Sequence, residues 1–237
     1  MIKLLLVLLA SFSFTCAYAG ADADVARVKA ALKKNNPQLD RVGKVYKSNI
    51  LGLYEVEMDG DLLYTDEKAR YLIHGSIFDL KSMHNLTDAR SRKLFAVDFD
   101  KLPFNLAVKK VKGNGQRKMA YFTDPNCAYC KKLEEEIKNL DNVTLYVFML
   151  TIFPGSGEKV QAILCSKNPA KAWDDLMQYD TLPPAGKCET PTEQVMQLSR
   201  KLKVNGTPAL FFADGVLVPG YKTLAELEKA LNGGKLN

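Results

Sequence analysis

The chain has 237 residues, of which 47% are hydrophobic and 25% are charged, and its formal net charge is +6. This composition is that of an ordinary folded protein and excludes a disordered, collagen-like or coiled-coil chain. The basic residues are interleaved with Asp and Glu, whereas nucleic-acid binders usually carry a concentrated basic patch, so no nucleic-acid partner is expected.

Residues 1–19 have the pattern of a secretory signal peptide. A short basic start is followed by an apolar run over 4–10, and the segment ends in Ala17-Tyr18-Ala19. Such a segment is removed during export, and this apolar run is too short to span a bilayer comfortably. Lipid attachment at Cys16 is the weaker alternative, because Phe14 and Thr15 stand where small residues are expected. We therefore predict an exported protein.

Residues 20–85 are predicted to form a small α+β domain. Apolar residues recur at helical spacing over 22–35, and Pro37 ends that helix. Segments rich in β-formers follow, with Asp59-Gly60 as a hairpin turn signal. The predicted strands are 41–47, 50–58, 62–65, 71–74 and 77–80. A unit of roughly 60 residues is marginally stable alone and would gain from pairing with a second copy.

Residues 86–103 are predicted to form a linker helix. Thr87-Asp88 can cap the helix, good helix formers follow, and Pro103 ends it. Its apolar face is thin, as expected of a helix that connects two domains. The domain boundary is therefore predicted to lie here.

Residues 104–237 have the pattern of an α/β domain. Segments 117–123 and 143–150 are nearly continuous apolar runs, typical of strands buried on both faces, and a helix is predicted between them over 126–139. This β-α-β order predicts that the two strands are parallel. Further helices are predicted over 156–167, 169–178, 191–202 and 224–231, with strands over 209–213 and 216–219.

Cys127 and Cys130 form a Cys-x-x-Cys motif at the start of the predicted helix that follows the first of these strands. Unpaired N–H groups and the helix dipole favour a thiolate at Cys127, which can then attack a disulfide. Cys130 lies one turn further and can resolve the mixed disulfide. Asn126 can cap this helix.

A zinc half-site and a plain structural disulfide are the two other interpretations of the cysteine pair. Zinc needs two more ligands, usually another closely spaced pair. Both histidines, His74 and His84, lie in the first predicted domain, and Cys165 is far from Cys188 in the sequence. No metal site is therefore expected, and the lack of a later histidine argues against Cys-His hydrolase chemistry. The sequence favours a redox dithiol, which needs no cofactor.

Thr207-Pro208 stands directly before the predicted strand over 209–213. A proline at the start of a strand can simply mark its beginning, because no ladder hydrogen bond is lost there. The dipeptide also resembles the cis-proline loop that faces the Cys-x-x-Cys in thioredoxin-type domains. A cis bond exposes the preceding backbone groups, which can pair with an extended substrate.

The chain after the signal segment resembles the periplasmic disulfide isomerases of the DsbC/DsbG family. The matching residues are Phe-Thr-Asp at 122–124 with the Cys-x-x-Cys, Gly-Thr-Pro-Ala at 206–209, Leu-Val-Pro-Gly-Tyr at 217–221 and Ile-His-Gly-Ser-Ile-Phe-Asp at 73–79. The resemblance implies a two-domain α+β fold. An N-terminal cystatin-like dimerisation domain would be followed by a linker helix and a C-terminal thioredoxin-like α/β domain.

The resemblance also implies roles for individual residues. The catalytic pair would be Cys127 and Cys130. The residues that contact substrate would be Ala128, Tyr129, Thr207 and Pro208, and the pair at the position of the structural disulfide of DsbC-type isomerases would be Cys165 and Cys188. Ala128 departs from the family, which often has Gly or Pro there, and the residues between the cysteines tune thiolate stability.

The implied function is that of a periplasmic protein disulfide isomerase or reductase that acts on misfolded, disulfide-containing exported proteins. The implied partners are a second copy, in a homodimer, and a membrane reductase of the DsbD type that keeps Cys127 reduced. The alternative is a DsbG-like chaperone, or a reductase of sulfenic acids that uses the same dithiol. The presence of Cys165 and Cys188 favours the isomerase. A DsbA-type oxidase is not expected, because that class lacks the extra N-terminal domain.

Overall fold

The computed structural model describes residues 19–39, 41–234 and 236. The predicted signal peptide, including Cys16, lies outside the described residues apart from Ala19, and it stays a prediction. The chain divides between Ser91 and Arg92 into two compact units. Within the described ranges, no helix is long and apolar enough to cross a membrane.

The first unit is a helix packed on a small antiparallel sheet. Helix α1 (Ala19–Asn35) is followed by β1 (Val42–Lys47), β2 (Tyr54–Met58), β3 (Asp61–Thr65) and β4 (Leu72–Ile73), which pair in that order. A two-stranded ladder joins β5 (Phe78–Asp79) and β6 (His84–Asn85). Val28 and Leu32 of α1 share a buried core with Val56. The helical spacing of apolar residues therefore identified the buried face of α1.

The predicted strand over 50–58 is too long, because its first residues form a turn. Leu53 N donates to Ile50 O at 3.0 Å, and Leu51 and Gly52 both have positive φ, of 52° and 67°. Two consecutive residues in this conformation make the tight turn that suits a β-hairpin. The apolar side chain of Leu51 suggests a strand residue, but it is 87% exposed on this turn.

Helix α2 (Leu86–Phe95) is shorter than the predicted linker helix over 86–103. The N–H of Val97 donates to the carbonyl of Gly215 at 2.9 Å, and Phe99 and Leu102 are buried in a core of the second unit. Packing of these apolar side chains stops the helix, and the chain continues through 3₁₀ turns at Phe99–Lys101 and Phe104–Leu106.

The second unit is a five-stranded mixed sheet with helices. Its strands β7 (Val108–Lys112), β8 (Arg117–Thr123), β9 (Val143–Met149), β10 (Ala209–Phe211) and β11 (Leu217–Pro219) lie in the order β11-β10-β8-β9-β7. Strands β8 and β9 are parallel, as predicted, and the other neighbours are antiparallel. The helices are α3 (Ala128–Ile137), α4 (Ser156–Leu164), α5 (Pro169–Tyr179), α6 (Thr192–Lys201) and α7 (Leu224–Leu231).

Strand β8 is buried on both of its faces. Tyr121 belongs to one core cluster together with Leu133 of α3, whereas Ala120 and Phe122 belong to a second cluster. Successive side chains of a strand point to opposite faces, so these clusters cover the two sides of the sheet. The near-continuous apolar run in the sequence reflects this double burial, and it places the end of β8 inside the molecule.

Candidate active site

The Cys-x-x-Cys motif lies where α3 begins, shortly after the end of β8. Cys127 is the N-cap residue of α3, and its Sγ accepts a hydrogen bond from Cys130 N at 3.3 Å. Both cysteines are free; Cys127 is 5% exposed and Cys130 is fully buried. The less buried sulfur therefore lies at the helix terminus, where unpaired N–H groups favour a negative charge.

Asn126, which was predicted as a cap of this helix, has other partners. Its Nδ2 donates to Pro154 O at 2.8 Å and to Ser156 Oγ at 3.1 Å, while Lys159 Nζ donates to its Oδ1 at 2.7 Å. The prediction was wrong because these groups come from a segment about thirty residues later, beyond the reach of local sequence patterns. Asn126 instead ties the start of the α4 segment to the motif.

Asp124 is a fully buried carboxylate that organises the turn before α3. It accepts hydrogen bonds from Asn126 N at 2.8 Å, Ile152 N at 2.8 Å, Phe153 N at 3.3 Å and Ser156 Oγ at 2.5 Å. Hydrogen bonds to an ionised acceptor are stronger than those between neutral groups. The carboxylate therefore fixes the turn after β8 against the loop after β9.

The Thr207-Pro208 loop lies directly beside Cys127. The peptide bond between Thr207 and Pro208 is cis, and the thiol of Cys127 donates to Thr207 O across 3.4 Å. The structure thus brings this loop against the cysteine motif from 80 residues away. Ala128 and Tyr129 are exposed next to Cys127, whereas Pro208 is buried. Within the described part of the chain, no group of three or more His, Cys, Asp or Glu residues is arranged to hold a metal ion.

The Cys130 thiol is held in its protonated form. Burial raises the pKa of Cys130 to about 12, and a hydrogen bond with Cys127 acts in the same direction. Three groups oppose this rise in pKa because they favour the thiolate of Cys130: the hydroxyls of Thr123 and Thr207 and the backbone N–H of Asp124. At neutral pH Cys130 therefore keeps its proton, as suits a group that reacts second.

Alkylation of the reduced protein is expected to modify Cys127 alone at neutral pH. The thiolate is the reactive form, and the pKa of Cys130 of about 12 leaves almost none of it. Modification of Cys130 by iodoacetamide should then rise by about tenfold per pH unit towards its pKa. Timed alkylation with peptide mapping measures both rates, and equal modification of the two cysteines at neutral pH would contradict this expectation.

Cys165 and Cys188 are joined by a disulfide between the end of α4 and the segment before α6. Gln161 Nε2 donates to Cys165 Sγ at 3.0 Å and to Cys188 O at 2.9 Å. The bond closes a loop with a sequence separation of 23. It fixes a long segment, 180–191, that has no helix or strand of its own.

Replacing both Cys165 and Cys188 by alanine is expected to lower the free energy of unfolding by about 3 kcal/mol. Without the cross-link, the unfolded chain gains the conformational entropy that the closed loop denies it. The catalytic motif is untouched, so reduction of insulin under folding conditions should continue. Urea unfolding of the wild-type and doubly substituted proteins measures the change. An unchanged midpoint would show that the disulfide contributes nothing to stability.

Two family models match the chain. Residues 19–88 match the disulfide bond isomerase protein N-terminal domain, and residues 104–235 match a thioredoxin-like domain. The chain is also 30% identical over 220 residues to the thiol:disulfide interchange protein DsbC of Salmonella typhimurium, which covers 90% of this chain and 89% of that protein. The chain belongs to the DsbC family of thiol:disulfide interchange proteins. The predicted fold, a DsbC-type N-terminal domain followed by a thioredoxin-like domain, is thereby confirmed.

Further similarities to disulfide interchange proteins differ in their coverage. A probable thiol:disulfide interchange protein DsbC of Bordetella parapertussis is 46% identical over 181 residues, which is 76% of this chain. The matched part is 65% of that relative's own length. A solved disulfide interchange protein from Neisseria gonorrhoeae is 35% identical with a TM-score of 0.54, and it covers 57% of this chain and 100% of its own.

Proposed function

We propose that this protein is a periplasmic thiol–disulfide oxidoreductase that rearranges or reduces wrong disulfides in exported proteins. The observation that carries the proposal is the pair of free thiols at the start of α3, with Cys127 at the helix terminus and Cys130 fully buried. The Cys127 sulfur lies 3.3 Å from an N–H of the first helical turn and 3.4 Å from the carbonyl of Thr207. The N–H of the helical turn suits this sulfur to attack as a thiolate, whereas the Thr207 carbonyl accepts a hydrogen bond from it while it is protonated.

The reaction begins when the Cys127 thiolate attacks one sulfur of a substrate disulfide. A mixed disulfide forms, and the other substrate sulfur leaves as a thiolate. If another substrate thiolate attacks the mixed disulfide at the substrate sulfur, a new pairing forms and Cys127 is released unchanged. If Cys130 attacks Cys127 instead, the substrate leaves reduced and the Cys127–Cys130 disulfide forms. The raised pKa of Cys130, about 12, slows this second route and favours rearrangement.

The surface around Cys127 is suited to unfolded polypeptides. Tyr129, two residues after the nucleophile, is 60% exposed, and Ile152 and Phe153 are 45% and 42% exposed. The backbone N–H groups of Ile152 and Phe153 bond to Asp124, so both lie near the motif. Exposed apolar side chains next to a reactive group are typical of a binding site for apolar segments. An extended segment would pair with the backbone beside Thr207.

The active form in this proposal is a homodimer joined through the first unit. The segment 71–83 exposes large apolar side chains, and it includes β4, the last strand of its sheet. An exposed apolar surface beside an open strand edge is a typical interaction site. The exposed residues are Tyr71, Leu72, Ile73, Phe78, Leu80 and Met83. Two paired copies would hold a misfolded chain while its own thiols compete with Cys130.

The proposed compartment and reducing partner follow from the chemistry. Disulfide-containing substrates persist in oxidising compartments, and the pattern of residues 1–19 is that of an export signal. An isomerase must be returned to its dithiol form in such a compartment. We assign this role to a membrane reductase of the DsbD type.

Recovery of activity from a scrambled multi-disulfide ribonuclease tests the proposed function. The reduced wild-type protein should accelerate recovery, and Cys127→Ser should leave it at the uncatalysed rate. The Cys165→Ala/Cys188→Ala variant serves as a control that keeps the motif. Equal acceleration by Cys127→Ser would contradict the isomerase and favour the DsbG-like chaperone.

A further inference from the structure

Two buried hydroxyls at the candidate active site have no hydrogen-bond partner. They are Oγ1 of Thr123 and Oγ1 of Thr207, the solvent-shielded side-chain nitrogen or oxygen atoms of the described residues that make no hydrogen bond. Thr123 is fully buried at the last position of β8, where its backbone carbonyl accepts from Leu150 N at 2.7 Å. An unpartnered buried hydroxyl costs about 1–3 kcal/mol. The Thr123 hydroxyl therefore does not contribute to the stability of the fold.

Both hydroxyls lower the pKa of Cys130, whose sulfur is itself fully buried, against the rise that burial causes. The backbone N–H of Asp124 lowers the pKa of Cys130 in the same way. A neutral thiol is a weak acceptor, so these donors gain little while Cys130 is protonated. A thiolate is a strong acceptor. The donors are thus suited to stabilise the thiolate of Cys130, which forms only during the reaction.

We propose that Thr123 is a catalytic residue of the resolving step, in which its hydroxyl donates to the Cys130 sulfur as negative charge develops there. This inference rests on the proposed function. In the step, Cys130 gives its proton to solvent, and its sulfur forms a bond to the Cys127 sulfur. The bond between Cys127 and the substrate sulfur breaks, and the substrate sulfur leaves with the electron pair and takes up a proton. Donors fixed in advance around a developing charge lower the barrier, as in an oxyanion hole.

Thr123 and Thr207 differ in their exposure to solvent, and this difference distinguishes their roles. Thr207 is partly exposed, and its carbonyl accepts from Cys127, so it can act on both cysteines and on the substrate. Thr123 is fully buried and cannot contact a substrate. Its effect should therefore be confined to the step in which Cys130 reacts.

Oxidation by excess glutathione disulfide resolves the two steps. Attack by Cys127 forms a mixed disulfide with glutathione at a rate proportional to the reagent concentration, and ring closure by Cys130 follows as a first-order step. Acid quenching and mass spectrometry count each species over time. Thr123→Val should slow ring closure by about tenfold, the size of one lost hydrogen bond to a charged group. Formation of the mixed disulfide should be unchanged, and Thr123→Ser, which keeps a hydroxyl, should restore most of the rate.

Thermal unfolding supplies the second readout. Thr123→Val should have the same Tm as wild type or a higher one, because no hydrogen bond within the fold is lost. Thr144→Val is the matched control, since the buried hydroxyl of Thr144 on β9 donates to Gly115 O at 2.8 Å. This control should have a lower Tm and an unchanged rate of ring closure.

Ring closure at the wild-type rate in Thr123→Val would overturn the inference. A fall in Tm together with slowing of both steps would also overturn it, because Thr123 would then act on the structure alone. Failure of the wild-type protein to form the mixed disulfide is a separate result. It would reject the proposed function, and this inference with it.

Discussion

Replacing Cys130 by serine is expected to convert the protein into a covalent trap for its substrates. Cys127 can still attack a substrate disulfide, but a serine hydroxyl cannot resolve the mixed disulfide. Mixed disulfides should therefore accumulate on most molecules when the variant is incubated with scrambled ribonuclease. Cys127→Ser should form almost none, because Cys130 is fully buried and its pKa of about 12 keeps it protonated. Non-reducing gels after acid quenching measure the yield of both variants.

The double variant Cys127→Ser/Cys130→Ser is the control for this experiment. It keeps the Cys165–Cys188 disulfide, so any complex that it forms arises outside the motif. Mass spectrometry should locate the bond at Cys127. A yield from Cys127→Ser equal to that from Cys130→Ser would reverse the assigned roles of the two cysteines.

The double variant Leu80→Asp/Met83→Asp is expected to be monomeric and to lose most isomerase activity while it keeps its reductase activity. Leu80 and Met83 are 82% and 71% exposed, so charges there should break an interface without disturbing the fold of the protomer. The second unit has its own core clusters and carries the whole cysteine motif, so insulin reduction should continue. Loss of the effective concentration provided by a second copy should slow isomerisation by about tenfold or more.

Sedimentation velocity and parallel assays of the two activities test this expectation. Leu51→Asp is the matched control, because Leu51 is 87% exposed on the β1–β2 turn, outside the segment 71–83. A double variant that remains dimeric would reject the proposed interface. A monomer with full isomerase activity would show that pairing is not needed for rearrangement.

Elements that depend on local sequence could be predicted well. The near-continuous apolar run over 117–123 coincides with β8, and the predicted helix over 224–231 coincides with α7. The parallel pairing of β8 with β9 followed from the β-α-β order. The cysteine motif could be placed at a helix start for the same reason, since a strand, a turn and a helix follow one another there.

Strand β7 could not be predicted, because distant partners stabilise it. Its sequence reads as a basic segment, with Lys109, Lys110 and Lys112 among its residues. In the fold, Lys110 pairs with Glu134 of α3 at 3.4 Å and also with Asp174 of α5. Lys112 Nζ donates to the carbonyl of Ile137 at 2.9 Å near the end of α3. These contacts link residues far apart in the chain, which no local pattern reveals.

The supporting residues of the candidate site were missed for a similar reason. Asp124 enters the sequence analysis only as part of the Phe-Thr-Asp segment at 122–124, yet three of its donors come from Ile152, Phe153 and Ser156, which follow β9. Thr123 looked like an ordinary strand residue. Its importance lies in a hydroxyl that finds no partner, and only the packed structure contains that information.

Equilibration with glutathione tests the central claim that Cys127 and Cys130 form one exchangeable dithiol. Samples held at a series of ratios of reduced to oxidised glutathione are quenched with acid, alkylated and analysed by mass spectrometry at each cysteine. The expected result is that Cys127 and Cys130 become oxidised together in a single two-electron transition, with the Cys165–Cys188 disulfide intact throughout. Separate transitions for the two cysteines, or a pair that stays reduced at every ratio, would contradict the account.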